Sequence, residues 1–171
     1  VDRDENGVIN ADDKYFFHKP AADFTMGLNT TLTYKNWTLA ASGHGSLGNY
    51  IYNNVASDGE MLADLWTNSF TSNRLESALW SNFNQACYLS DYYIKDASFF
   101  KVDNVTLGYT FPSLFKSAKL DRALGLNIYA TVQNVATITN YEGLDPEVFS
   151  GIDNNLYPRP RTYILGVKFN F

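Results

Sequence analysis

Phe24-Thr25-Met26-Gly27-Leu28-Asn29-Thr30-Thr31-Leu32-Thr33-Tyr34 alternates apolar and small polar residues almost without a break. Phe24, Met26, Leu28, Leu32 and Tyr34 share one side of an extended chain, with Thr30 the exception. Thr25, Gly27, Asn29, Thr31 and Thr33 take the other. Successive side chains of a strand point to opposite faces, so the pattern specifies a strand with one apolar face. Lys35-Asn36 has the length of a tight hairpin turn. Trp37, Leu39 and Ala41 then carry the apolar face back along a return strand, opposite Thr38, Ser42 and His44.

Three further runs repeat the pattern. Val105, Leu107, Tyr109 and Phe111 alternate with Asn104, Thr106, Gly108 and Thr110. Leu124, Leu126, Ile128, Ala130 and Val132 alternate with Gly125, Asn127, Tyr129 and Thr131. Tyr163, Leu165, Val167, Phe169 and Phe171 alternate with Thr162, Ile164, Gly166, Lys168 and Asn170. Each run approaches the length of a tilted strand crossing a bilayer, about 9–11 residues.

A soluble sandwich also alternates, so the polar face decides. Here it carries Thr, Asn, Ser and Gly, with Lys168 its single charge, and the apolar face carries none. Hydrocarbon outside and a polar lumen inside account for both, because Arg or Lys facing mid-bilayer lipid costs about 2–4 kcal/mol. Tyr34, Trp37, Tyr109, Phe111, Phe169 and Phe171 gather at one set of strand ends, as an interfacial girdle does. The fold class expected is therefore all-β, an antiparallel transmembrane β-barrel segment of five strands with long extracellular loops.

The connections predict a sidedness. Lys35-Asn36 is short, and Pro112 to Ala123 is moderate, expected part helical; both belong on the periplasmic side. About Leu47 to Phe99 and about Asn134 to Arg161 are the long extracellular loops. Within the first, Leu62, Leu65, Trp66, Phe70 and Leu79, Trp80, Phe83 predict one or two short helices packed on the rim. Residues 1–22 form a loop unit and residues 23–171 the strands and their loops. Five strands cannot close a barrel, and open edges would leave backbone groups unpaired in lipid. The remaining strands must come from a longer parent chain or from other polypeptides.

Composition agrees. Aromatics reach 16% and charged residues only 18% of 171 residues, below the roughly 25% charge of soluble chains. The net charge of −5 leaves no basic footprint, so no nucleic-acid partner is expected. The longest apolar run, Ala86 to Leu89, is far below the about 20 residues of a spanning helix. The charged opening Val1-Asp2-Arg3-Asp4 does not read as a signal peptide. Cys87 is alone, so it forms no intrachain disulfide.

One motif carries chemistry. Residues 2–13, Asp-Arg-Asp-Glu-Asn-Gly-Val-Ile-Asn-Ala-Asp-Asp, fit a calcium loop. Asp2, Asp4, Asn6, the Val8 carbonyl, Asn10 (through water) and Asp13 are the expected Ca2+ ligands. Gly7 permits the sharp turn and Ile9 points inward. Calcium takes about six to eight hard oxygens. Asp13 stands where an EF-hand has Glu, which resembles dockerin-type loops. A solvated acidic turn is the alternative, since Asp and Asn favour turns by themselves.

Other candidates are weaker. His18 and His44 have no third ligand for zinc; His44 reads as a lumen-facing polar residue. Asp145 and Glu147 flank Pro146 and read as a turn before a sugar site. The loop aromatics Trp66, Trp80, Tyr141 and Tyr157 are expected to pack on one another rather than stack on sugars. No nucleophile elbow, phosphate loop or Glu-bearing His motif occurs, so no enzyme is expected. The sequons at Asn29, Asn36 and Asn104 are discounted because they fall with the strands.

Several stretches together resemble the C-terminal end of SusC/RagA-type TonB-dependent transporters of Bacteroidetes outer membranes. They are the loop at Asp2 to Asp13, Pro20 with Phe24 to Leu28, Tyr34-Lys35-Asn36-Trp37, Gly48 to Asn53, Asp96 to Tyr109, Gln133-Asn134-Val135, Gly143 to Val148 and Tyr157 to Tyr163. The resemblance implies a barrel of about 22 strands, of which these are the last five. It also implies an N-terminal plug domain, a segment contacting the TonB complex, a SusD-like surface lipoprotein and uptake of oligosaccharides or peptides at the outer membrane. The competing expectation is a calcium-stabilised soluble β-domain for surface adhesion; a third is a small barrel assembled from several copies.

Overall fold

The computed structural model describes residues 2–8, 10–60, 76–81, 89–116, 123–154 and 157–170. Eight strands are present among these described residues: β1 (Phe24–Tyr34), β2 (Trp37–Leu47), β3 (Tyr50–Asn53), β4 (Ile94–Asp96), β5 (Phe99–Lys116), β6 (Ala123–Thr139), β7 (Ile152–Asp153) and β8 (Thr162–Asn170). The main sheet runs β1-β2-β5-β6-β8, antiparallel throughout, and β4-β3-β7 form a small second sheet. The five long strands are those the alternation predicts. The sheet is open, with β1 and β8 at its edges.

The register puts side chains into rows. Leu32, Leu39, Leu107, Ala130 and Leu165 align across all five strands, as do Tyr34, Trp37, Tyr109, Ile128 and Val167. This apolar face is uncovered: Leu107, Ile128 and Val167 are 46%, 42% and 57% exposed. A soluble domain would bury such rows, because each large side chain covered contributes about 1.5–3 kcal/mol. The buried cluster lies beyond the sheet, where Ile51, Ala97 and Tyr141 pack with Val148.

Strand lengths depart from expectation at both ends. β5 begins at Phe99 and β6 runs to Thr139, so Lys101 and Asp103 are strand residues and the polar face holds more charge than Lys168 alone. Register shifts at Ser42/Gly43 and Val102/Asn104 explain why simple alternation stops short. Each inserts an unpaired residue, and Asn134 takes a positive φ of 52° beside the second. Val102 and Phe100 thereby stay on the apolar side. The Phe100 ring lies over Gly43, where a Cβ would sit 3.1 Å from its Cζ and 2.6 Å from the Lys101 carbonyl oxygen.

Pro112 to Lys116 is strand rather than helix, and its proline falls at the irregularity between Phe111 and Phe115. A bulge tolerates the missing N–H; residues 117–122 lie outside the described residues. The sidedness agrees with the expectation. The Lys35-Asn36 turn and the β5–β6 connection share one end, while residues 48–98 and 140–161 cross the other. The second long loop starts at Asn140, later than read from the sequence. Trp37 and Tyr109 meet edge to face at 4.8 Å, and Tyr109 and Phe111 at 4.5 Å, on the short-turn end. Phe171 lies outside the described residues.

In the first long loop, α1 (Asn54–Gly59) and one helical turn at Ala78–Ser81 are described. Leu79 and Trp80 fall in that turn but are exposed, with Ala78 buried in their stead. Leu62, Leu65, Trp66, Phe70, Phe83 and Cys87 lie outside the described residues. No described helix is long and apolar enough to cross a membrane, which says nothing of a barrel.

Candidate functional site

The inner face of the sheet is a ladder of small polar groups. Asn104 Nδ2 donates to Ser42 Oγ at 2.5 Å, Thr106 and Thr131 hydroxyls meet at 2.7 Å, and Asn127 Nδ2 donates to Thr110 Oγ1 at 2.8 Å. Cross-strand polar pairs satisfy one another and leave spare lone pairs for water.

Towards the long loops this face ends in charge. Lys101, with its side chain 8% exposed, donates from Nζ to Asp145 Oδ1 at 2.7 Å and Glu147 Oε2 at 2.8 Å. Arg159 Nη1 stands 3.0 Å from Glu147 Oε2, and its Nε 3.5 Å from Asp145 Oδ2. His44 Nδ1 meets Asp103 Oδ2 at 2.8 Å, with Nε2 3.4 Å from Glu147 Oε1. The Glu147 N–H donates to Asp145 Oδ1 at 2.9 Å, closing a turn over Pro146. Burial pushes the Glu147 carboxyl up, but the Lys101 hydrogen bond and charge, then Arg159 and His44, outweigh it and hold it below the usual range.

Asp145 and Glu147 thus form the turn expected and are engaged by cations. His44 is on the inner face as expected. His18 stacks on Tyr50 with centroids 3.7 Å apart. Tyr141 differs from expectation: it is buried, and its hydroxyl donates to Asp153 Oδ2 at 2.8 Å. Burial and the Asp153 carboxylate raise its pKa strongly. Trp80 and Tyr157 are exposed. Sequence reasoning missed Lys101, Asp103, Arg159 and Asp153; an isolated lysine inside the apolar Phe99-Phe100-Lys101-Val102 run was the available signal.

In the acidic loop, oxygens of Asp2, Asp4 and Asp13 lie within 4.8 Å of one another. The Gly7 N–H, at φ 82°, donates to Asp2 Oδ2 at 2.7 Å. Asp13 is buried and accepts from the N–H groups of Asn10 at 2.8 Å and Arg3 at 2.7 Å. These bonds, Asn10 first, hold its carboxyl below the ordinary range. Asp2 Oδ1 is shielded from solvent and has no hydrogen-bond partner among the described residues. The side-chain oxygens of Asn6 and Asn10 accept instead from the N–H groups of Val8 and Asp12, at 2.7 and 2.6 Å. The carboxylates come together; the two asparagines cap local turns. Val8 is exposed, and Ile9 lies outside the described residues.

An open antiparallel sheet, apolar outside and polar inside with long loops at one end, defines a wall segment of a transmembrane β-barrel. No family profile matches the chain. It is 44% identical over 174 residues to the TonB-dependent receptor SusC of Bacteroides thetaiotaomicron, covering 100% of this chain and 17% of that receptor. It is 29% identical over 193 residues to the TonB-dependent receptor P3 of Formosa agariphila, covering 100% and 18%. The RagAB peptide importer in the "closed-closed" state matches the fold with TM-score 0.71 at 21% identity, over 97% of this chain and 20% of that one. The "open-open" state matches with TM-score 0.67 over 86% and 17%. The chain belongs to the SusC/RagA-type TonB-dependent receptors, as a segment of their barrel. It spans under a fifth of the length of the curated relatives it matches.

Proposed function

We propose that this chain forms the C-terminal part of the barrel wall and mouth of an outer-membrane importer taking up oligosaccharides or peptides with energy delivered through TonB. The observation that carries the reading is the division of solvents across one sheet. Leu107, Ile128 and Val167 stand uncovered on one face, while Thr106, Thr131, Asn127 and Thr110 pair on the other. Lipid on the first and water on the second satisfies both. Its partners in this reading are the remainder of the barrel, a plug domain, the TonB complex, a SusD-like surface lipoprotein and outer-membrane lipid. The work is binding and gating rather than bond chemistry. Deleting the full receptor gene should abolish growth on its cognate nutrient, and re-expression should restore it. Growth unchanged across both oligosaccharide and peptide sources would overturn the reading.

A second reading concerns the acidic loop. We propose that Asp2, Asp4 and Asp13, with the Asn6 and Asn10 side chains and the Val8 carbonyl, hold Ca2+. The unpartnered Asp2 Oδ1 favours this, since a shielded carboxylate oxygen calls for a cation or a donor. The ion would supply charge compensation and order, not catalysis. Calorimetry should record calcium binding that is lost in Asp2→Ala plus Asp4→Ala. No heat from the intact receptor at millimolar calcium would end the idea.

A further inference from the structure

Two hollows open on the inner side near the long loops. One, of about 770 Å³, is lined by His44, Phe99, Glu147 and Phe149 among others. The other, of about 250 Å³, is lined by Lys101, Asp103, Asp145 and Arg161 among others. Pro146 and Arg159 line both. The tip Asp145-Pro146-Glu147, braced by Arg159, is therefore the partition between them.

The partition is held from two directions. At the base of its loop, Tyr141 is tied to the buried Asp153. At the tip, the ion pairs come from Lys101 on the sheet wall and Arg159 in the segment before β8, with His44 Nε2 3.4 Å from Glu147 on its far side. Apolar contact contributes as well: Pro146 at the tip is buried and Val148 packs on the Ile51, Ala97 and Tyr141 cluster, while Phe149 just beyond is fully exposed. Of these holds, the ionic one is the part that side chains can exchange for other partners.

We propose that Asp145-Pro146-Glu147 is an electrostatic latch: Lys101, supported by Arg159, holds residues 140–151 against the inner wall, and breaking those ion pairs frees the tip and joins the two hollows. A lysine buried on a strand is a poor choice for stability alone, because an apolar residue of similar volume serves as well. It is a good choice for a joint that must come apart as a unit. The latch goes beyond the import reading, and only its effect on uptake rests on that reading.

The test is hydrogen exchange on the full receptor in nanodiscs, read on a peptide covering 142–150 that contains the Glu147 amide. Lys101→Met should accelerate exchange there by roughly tenfold or more, with residues 104–110 of β5 unchanged. Lys101→Arg, which keeps the charge, should stay within a few-fold of wild type. If Lys101→Met fails to assemble, Asp145→Asn plus Glu147→Gln alters no strand residue and should give the same acceleration. Wild-type exchange in that double variant would overturn the latch. Uptake is measured separately: a freed tip with unchanged uptake upholds the latch and counts against this end being the importer's mouth.

Discussion

The ring of Tyr129 occupies the space over Gly166 on the neighbouring strand, so that a Cβ built on Gly166 would collide with the ring's Cζ and hydroxyl. The two residues are direct cross-strand partners, with Gly108 on the other side of Tyr129. An aromatic side chain covering a strand glycine compensates for the side chain that glycine lacks. Gly166→Val should cost about 1–3 kcal/mol, as overpacking does. In a Tyr129→Ala background the same change should be nearly neutral. Thermal unfolding of the full receptor, followed by its mobility shift on gels, measures both arms of the cycle.

The assignment of lipid to one face makes a paired prediction. Ile128→Arg should reduce the amount of folded receptor in the outer membrane, at less than the about 2–4 kcal/mol of the bilayer centre because Ile128 pairs with the girdle residue Tyr109. Asn127→Asp, one residue away on the other face and directly opposite Lys168, should leave assembly near wild type. Equal effects would mean that the two faces meet the same solvent.

The charge network predicts an acid-sensitive loop. Glu147 is held below its ordinary range in the folded state, so its contribution is present above the unfolded carboxylate value of about 4.3 and is lost as pH falls through the lower folded value. Protease cleavage within residues 142–150 should therefore increase on acidification below about pH 4. In Glu147→Gln this rise should be much reduced.

Asp153 is 1% exposed, and its Oδ1 has no hydrogen-bond partner among the described residues, while its Oδ2 accepts from the Tyr141 hydroxyl. Tyr141→Phe should weaken the base of the loop by about 1–3 kcal/mol, the cost of leaving a buried polar group unsatisfied. Faster hydrogen exchange at Ile152 and Asp153 checks it. Unchanged exchange there would show that another group takes over.

Calcium binding should be proton-linked. Asp2, Asp4 and Asp13 must be ionised to act as ligands, so affinity should fall as pH drops through the carboxylate range. Asp13→Asn removes the carboxylate at the loop's last position and should weaken binding by tenfold or more, about 1.4 kcal/mol, by calorimetry.

Much of the architecture was legible residue by residue. Phe24 to Tyr34, Trp37 to Ser42 and Asn104 to Phe111 announce both their conformation and their two faces, because in a strand the direction of each side chain follows from the backbone next to it. The same holds for the turn at Lys35-Asn36 and for the acidic loop, whose carboxylates are near neighbours in the chain. The reading ended where the bulges at Asp103 and beside Asn134 shift the phase, since an unpaired residue is defined by the strand opposite it.

The charge cluster shows the other limit. His44, Lys101, Asp145 and Glu147 come from distant parts of the chain and meet because β2, β5 and the loop after β6 converge at one end of the sheet. Asp145 and Glu147 looked like turn residues, and they are; that a buried lysine holds the turn depends on cross-strand register. Local backbone geometry decides which way a side chain points. What it meets there depends on segments tens of residues away, and that information arises when the sheet assembles.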